Sequence, residues 1–252
     1  MNTRDLMRLI IAGFGTLIFH TLHAETQLEV RGMSIGETQY RVLMIPVQRL
    51  PDLQLVWLGS EERTFVHVAA HLEKEGLPWH TMMNAGIFEP GGRPTGLTII
   101  DGEVLTPLNL DEGRGNFFLK PNGVFLVSAG KAEILTSEEF AAQQSAPQLA
   151  LQSGPLLLRE GQIHPQFRKE SSSRLHRNGI GVDESGNVHW VITELGQEHQ
   201  PNLYEFAEAF RQLGCADALF LDGDLSQMLG PDELSSWPGN HLGAFLVIFE
   251  GK

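Results

Sequence analysis

Between Val188 and Asp222 the chain reads as a strand, a helix and a second strand, and this constrains its fold more than any other stretch. Val188–Thr193 is rich in β-branched and aromatic residues, as a buried strand requires. Leu203, Phe206, Ala207 and Phe210 then fall at helical spacing, with Asn202 as N-cap and Gly214 as the stop. Ala218–Leu221 is apolar on both faces and runs straight into Asp222-Gly223-Asp224 and Ser226. Strand, helix and strand within about 35 residues make a βαβ unit. Its two strands are predicted to be parallel, with a right-handed crossover, so that Glu194 and Asp222 leave the sheet at one edge. In sheets with parallel neighbours, ligands bind at that carboxyl edge. Two carboxylates there suit acid–base or nucleophilic work at a sugar carbon.

The rest of the chain reads mostly as strands joined by tight turns, which predicts an α+β fold of mixed, hairpin-rich β-sheets with a few packed helices. Tyr40–Val47 and Leu53–Leu58 are aliphatic strands. Phe65, Val68, Ala69 and Leu72 mark a helix, with Glu61 and Glu62 in its first turn and Gly76 and Pro78 closing it. His67 and His71 are four apart on that helix but lie off its apolar stripe, on a solvated face. Hairpins are predicted around Asp101-Gly102, Asn122-Gly123, Glu160-Gly161 and Ser185-Gly186-Asn187. Thr136-Ser137-Glu138-Glu139 is a capping-box signature. With no repeat, low-complexity stretch or linker, residues 25–252 read as one domain.

Residues 1–24 read differently. Arg4 and Arg8 precede the apolar run Leu9–Phe19, and Leu22-His23-Ala24 offers a cleavage site. This is the layout of a secretory signal peptide, with an uncleaved anchor as the alternative, since Leu22 is large for its position. The expected location is therefore outside the cytoplasm, periplasmic or extracellular, with membrane contact only if the segment is retained. A formal charge of −13 argues against nucleic acid or an anionic membrane surface as partner. Cys215 is the single cysteine, which excludes an intramolecular disulfide, and its apolar context predicts burial. The tryptophans Trp57, Trp79, Trp190 and Trp237 read as core.

Four segments in all carry polar groups at strand ends or turns. They are Met83-Asn84-Ala85-Gly86-Ile87-Phe88, Gln152-Ser153-Gly154-Pro155, Arg174-Leu175-His176-Arg177-Asn178-Gly179-Ile180-Gly181, and the Asp222 segment itself. The basic cluster Arg174, His176 and Arg177 fits either an anion site or a solvated loop. In this order the segments resemble the phosphodiester glycosidase domain family, the domain of the mannose 6-phosphate uncovering enzyme, in a bacterial exported subgroup. Asn84, Gly86 and Phe88 match its Asn-Gly-Gly-Phe-Phe-like motif; Ser153, Gly154 and Pro155 match Ser-Gly-Pro. Arg177, Ile180 and Gly181 match its Arg-containing strand motif, and Leu221, Asp222, Gly223 and Ser226 its Leu-Asp-Gly-Gly-Gly-Ser. Ala85, Asn178-Gly179 and Asp224-Leu225 depart from the pattern.

The resemblance implies an exported hydrolase that cleaves a sugar-1-phosphodiester at the anomeric C–O bond. It implies Asp222, Glu194 and Arg177 as catalytic residues, with Arg177 on the phosphate. Asn84, Gly86, Phe88, Ser153, Gly154, Asp224 and Ser226 would bind the sugar phosphate or glycan substrate. No cofactor is assigned. A divalent cation is not required by the motifs, although Asp222, Asp224, Ser226 and Glu233 are spaced loosely like calcium ligands, and a metal-dependent phosphodiesterase is one alternative. Gln227 stands where an EF-hand loop needs glycine. A non-catalytic glycan- or sugar-phosphate-binding envelope protein on the same fold is the other.

Overall fold

The computed structural model describes residues 28–143, 146–236 and 239–251, so the expected signal segment and Trp237 lie outside the described residues. Two long strands come first, β1 (Val30–Ile35) and β2 (Thr38–Ile45), then β3 (Leu53–Val56), helix α1 (Phe65–Lys74) and β4 (Trp79–Ala85). The hairpins β5 (Thr98–Ile100)–β6 (Glu103–Thr106) and β7 (Gly123–Ser128)–β8 (Lys131–Thr136) precede the short helix α2 (Ser137–Ala142). Next come β9 (Leu149–Ser153), β10 (Leu156–Arg159), β11 (Gln162–Ile163), β12 (Asn178–Asp183) and β13 (Val188–Thr193). Helix α3 (Leu203–Gln212), β14 (Cys215–Asp222), β15 (Met228–Leu229) and β16 (Ala244–Phe249) complete the chain.

The strands form three sheets, in the orders β1-β2-β13-β12-β14-β10-β11, β15-β4-β16-β3 and β6-β5-β9-β7-β8. One apolar core joins them: Leu43, Met83, Phe125, Trp190, Leu219 and Leu246 belong to a single buried cluster. Each sheet buries its other face separately. Phe206, Ala207 and Phe210 of α3 cover the seven-stranded sheet through Val191, Ala218 and Phe220. Phe65, Val68 and Leu72 of α1 cover the four-stranded sheet. The fold is α+β, as predicted, and β14 explains its own composition. Leu219 and Leu221 enter the shared core while Ala218 and Phe220 meet α3, so both faces are dry. Burying one such leucine contributes about 1.5–3 kcal/mol.

The predicted βαβ unit is present in a modified form. Strands β13 and β14 run in the same direction, but β12 lies between them and pairs antiparallel with both. The neighbours of β14, namely β12 and β10, are antiparallel to it, so the expectation of parallel neighbours at this edge is corrected. The shared carboxyl edge survives, because Ile192 and Asp222 both align with Asn178.

Local signals fared unequally. The turns at Asp101-Gly102 and Glu160-Gly161 have positive φ at both positions (51° and 81°; 50° and 74°). Thr136 and Asn202 each close a full capping box, with Glu139 and Glu205. Helix α1 is capped by Thr64, and Glu61 and Glu62 precede it rather than filling its first turn. Asn122-Gly123 is not a hairpin turn. Asn122 is buried and donates to the Phe117 carbonyl, Gly123 opens β7, and the turn sits at Ala129-Gly130. Gly123 is required by close approach: a Cβ there would lie 2.6 Å from Leu156 and 2.8 Å from the Leu135 carbonyl. Trp79 and Trp190 are core residues, and Trp57 is half-buried with its N–H on the Gly92 carbonyl. Cys215 is buried, and burial pushes its thiol up to about 12.

Candidate active site

Strand β14 ends at Asp222 because the next residues fold back on themselves: the Ser226 N–H reaches the Gly223 carbonyl at 2.8 Å. This turn exposes Asp224 and Leu225 while burying Ser226 and Gln227. Strand β4 arrives from a different sheet and brings Asn84 to the same place, where the Asn84 N–H meets the Gln227 carbonyl.

Asn84 and Asn178 hold Asp222 between them, Asn84 at the carboxylate and Asn178 at the backbone N–H. Asn178 Nδ2 donates to the backbone and side-chain oxygens of Asn84, at 3.0 and 3.1 Å. Asn178 Oδ1 accepts from the Asp222 N–H at 2.8 Å and from the Ser226 hydroxyl at 3.0 Å. Asn84 Oδ1 accepts from the Gln227 N–H at 2.8 Å, which turns Asn84 Nδ2 toward Asp222 Oδ2 at 3.3 Å. The Gly223 N–H donates to Asp222 Oδ1 at 2.8 Å. Both carboxamides are buried and bonded at both ends, so their orientation is fixed.

Asp222 thus receives amide donors but no cation among the described residues. Burial raises its pKa; the Gly223 N–H opposes this, and the like charge of Asp224 adds to it, leaving Asp222 at about 6. His176 stands beside the pair. Its Nε2 contacts the Ser226 carbonyl at 3.0 Å and its Nδ1 the Thr193 hydroxyl at 2.7 Å. Burial pushes its pKa down against the pull of the Ser226 carbonyl, Asp224 and Glu194. The neutral ring donates from Nε2 and accepts at Nδ1.

The residues predicted from sequence are distributed around this centre. Glu194 shares the edge with Asp222 but extends from β13, two strands away, a lateral distance of roughly 9.5 Å at ordinary strand spacing. It is exposed and lines a cleft of roughly 220 Å³ with Arg41, His176, Leu195, Gln227 and Glu233. Asp224 is the carboxylate that raises the Asp222 pKa, so it is the electrostatic neighbour. Arg177 is 1% exposed. Its Nε donates to the Pro201 carbonyl and one Nη to that of Ser173, and the guanidinium lies over the Phe220 ring at 5.7 Å. Burial lowers its pKa to about 10, opposed chiefly by Asp224. Arg174 is partly exposed and held by Glu205 and His199.

Ser153 donates to the Leu221 carbonyl at 3.0 Å and Ser226 to Asn178, so both hydroxyls brace the strand end. Gly86 has φ 75°, and a Cβ there would meet Ser153 at ordinary van der Waals distance. Gly154, before Pro155, packs on Asn122 where no Cβ would fit. Phe88 is half-buried against Gly243 and the α1 side of its sheet. Asn178 is absent from the site residues expected from the sequence, and His176 enters there only as part of a basic cluster. Asn178 was visible only as a departure from a motif, and its partners lie far away in sequence.

The calcium-like spacing does not assemble. Ser226 is bonded to Asn178, and Glu233 is held by Arg41 Nη2 at 2.7 and 2.8 Å. Among the described residues, no group of three or more His, Cys, Asp or Glu could hold a metal ion.

The chain resembles known proteins in sequence and in fold. The phosphodiester glycosidase family matches residues 80–236, well over half of the chain. "Uncharacterized protein YigE" of Escherichia coli (strain K12) is 37% identical over 147 residues; the match takes in 58% of this chain and 56% of that protein, so the chain spans about half the length of the curated relative it matches. Among solved structures, the zebrafish N-acetylglucosamine-1-phosphodiester alpha-N-acetylglucosaminidase catalytic domain, auto-inhibited by its pro-peptide, superimposes with a TM-score of 0.63. That match covers 89% of this chain and 83% of the other at 15% identity, a likeness of fold. A hypothetical protein from Synechocystis gives a TM-score of 0.56 over 89% of this chain and 62% of its own, at 16% identity.

Proposed function

The chain belongs to the phosphodiester glycosidase family, and from that premise we propose that it is an exported hydrolase of sugar-1-phosphodiesters, cleaving the bond between the anomeric carbon and the phosphate oxygen. The observation that carries the reading is Asp222: a half-buried carboxylate at a strand end, oriented by two fixed carboxamides and lacking a cationic partner among the described residues. With a pKa near 6 it is mostly ionised at neutral pH yet poorly stabilised as an anion.

Asp222 acts at the anomeric carbon, as nucleophile or as the base that deprotonates water. The C–O bond breaks with its electron pair leaving on a phosphate monoester. That group is a weak base, so the reaction needs less acid help than departure of an alkoxide. Asp224 is the nearer second carboxylate, and Glu194 faces the substrate from the cleft wall. Asn84 presents a carboxamide to the reacting groups. Arg177, buried beneath the edge, favours the substrate's negative charge by its field rather than by direct contact. Gly86, Ser153, Gly154 and Ser226 shape the floor beneath the substrate. Export rests on the layout of residues 1–24; among the described residues no helix is long and apolar enough to cross a membrane.

The test is turnover of methyl diesters of N-acetylglucosamine-, glucose- and mannose-1-phosphate, with and without chelator, beside Asp222→Asn. Chelator-resistant turnover that Asp222→Asn abolishes supports the reading. Full activity in that variant refutes the role of Asp222, and dependence on added metal favours a metal-dependent phosphodiesterase.

A further inference from the structure

The edge that carries Asp222 has an unusual border. Five leucines are exposed among the described residues: Leu77, Leu110, Leu175, Leu195 and Leu225. Three of them, at 41%, 43% and 45% exposure, are sequence neighbours of the site residues His176, Glu194 and Asp224. They overhang β12, β13 and β14, which are adjacent, so one edge presents all three within about two strand spacings, roughly 10 Å. A single exposed leucine is ordinary; three at one sheet edge beside a polar site call for a ligand-side explanation.

The charges nearby indicate what lies against these leucines. Arg41, the cation in the adjoining cleft, is occupied by Glu233 and by the Met228 carbonyl. Glu194 is exposed in the same cleft and Asp224 on the turn, so the mouth is acidic apart from that pair. A second phosphate, as in a nucleotide-diphosphate sugar, meets carboxylates there with no available cation among the lining residues. The chain's formal charge of −13 likewise opposes an anionic membrane surface as the occupant.

We propose that Leu175, Leu195 and Leu225 form an aglycone subsite, and that the substrate is an amphiphile: one sugar, one phosphodiester and an uncharged apolar chain. This rests on the reading of Asp222 above and extends it to the substrate class. The sugar and phosphate sit over Asp222 and Asp224 while the chain lies along the leucines, of which Leu195 also borders the acidic cleft.

The experiment compares decyl with methyl diesters of the same three sugar-1-phosphates, below the micellar concentration, in wild type and in the triple variant Leu175→Ser/Leu195→Ser/Leu225→Ser. Wild type is expected to prefer the decyl diester by about 100-fold in kcat/KM, and the variant by less than about tenfold, given the transfer free energy of a few buried methylenes. Equal rates on the two diesters in wild type, or an undiminished preference in a folded variant, overturn the proposal. A parallel calorimetric titration with decyl phosphate and methyl phosphate separates this from failure of the hydrolase reading. If no diester turns over, decyl phosphate binding that the triple variant loses still supports the subsite. Binding that is absent in wild type, or unchanged in the variant, removes it.

Discussion

Strand β14 carries an aspartate near each end, and the two meet opposite surroundings. Asp217 receives Arg159 Nη1 at 3.1 Å and the Glu160 N–H at 3.0 Å, and Arg159 also holds Glu139 at 2.8 Å. Burial alone would raise Glu139, but the Thr136 N–H and Arg159 more than offset it and leave its pKa lowered. Asp222 receives only a carboxamide and one backbone N–H, with Asp224 beside it. One end of the strand ties carboxylates to an arginine and gains stability. The other leaves a carboxylate high in free energy as an anion, which costs stability and leaves it reactive. Sheet and strand are shared, so the difference lies in how deeply each carboxylate is buried and in its partners.

The largest expected effect separates the two ends directly. Asp222→Asn should lower kcat/KM on the accepted sugar-1-phosphodiester by about 10³-fold or more, as removal of a nucleophile or base does. Asp217→Asn should stay within about threefold of wild type. Equal losses would erase the contrast.

Asn178→Ala comes next. It strands the Asp222 N–H and the Ser226 hydroxyl in a buried space and takes one donor from Asn84, at a cost of about 3 kcal/mol in denaturant melts. A structural role alone predicts only that loss. The positioning role predicts in addition that the Asp222-controlled limb of the pH–rate profile moves away from pH 6 in the folded variant.

A third prediction concerns stability and its sign. The folded-state pKa of Asp222 is raised to about 6 from 3.8, so the fold prefers the protonated acid. The cost of the anion is absent below the unfolded value, grows between about pH 4 and 6 and is complete above. Asp222→Asn should therefore stabilise the protein at pH 7.5 by at most about 3 kcal/mol, with the gain vanishing near pH 4. Urea melts at both pH values check this, and a gain that persists at pH 4 would contradict it.

The smallest effect lies at the other end. Arg159→Met should cost about 1 kcal/mol at pH 7, since Glu139 is largely solvent-facing and the pair is screened. The loss should shrink as Glu139 protonates, because its lowered pKa gives stability that is present above the unfolded value and lost as pH falls through the folded one. The two variants thus change stability in opposite directions at neutral pH, and both effects fade in acid.

Much of this architecture was legible from short-range signals. Asp101-Gly102 and Glu160-Gly161 form the turns their chemistry demands, and Thr136 and Asn202 cap the helices they precede. The apolar stretch of β14 announced burial on both faces and an abrupt polar end. What was hidden depended on distant partners. Nothing local shows that β12 slips between β13 and β14. Gly123 looks like a turn residue until Leu156 is seen against it. Asn178 acts only through Asn84, Asp222 and Ser226, which three separate strand ends and turns bring together. The partners of the basic run around Arg174 and Arg177 were hidden for the same reason: Glu205 holds Arg174, and the carbonyls of Ser173 and Pro201 hold Arg177.

The central claim, attack at the anomeric carbon, is tested most directly by running the hydrolysis in water enriched in oxygen-18 and locating the label by mass spectrometry. Label in the sugar's anomeric hydroxyl, with none in the released phosphate monoester, is the predicted result. Label in the phosphate would mean cleavage at phosphorus and would contradict the role assigned to Asp222.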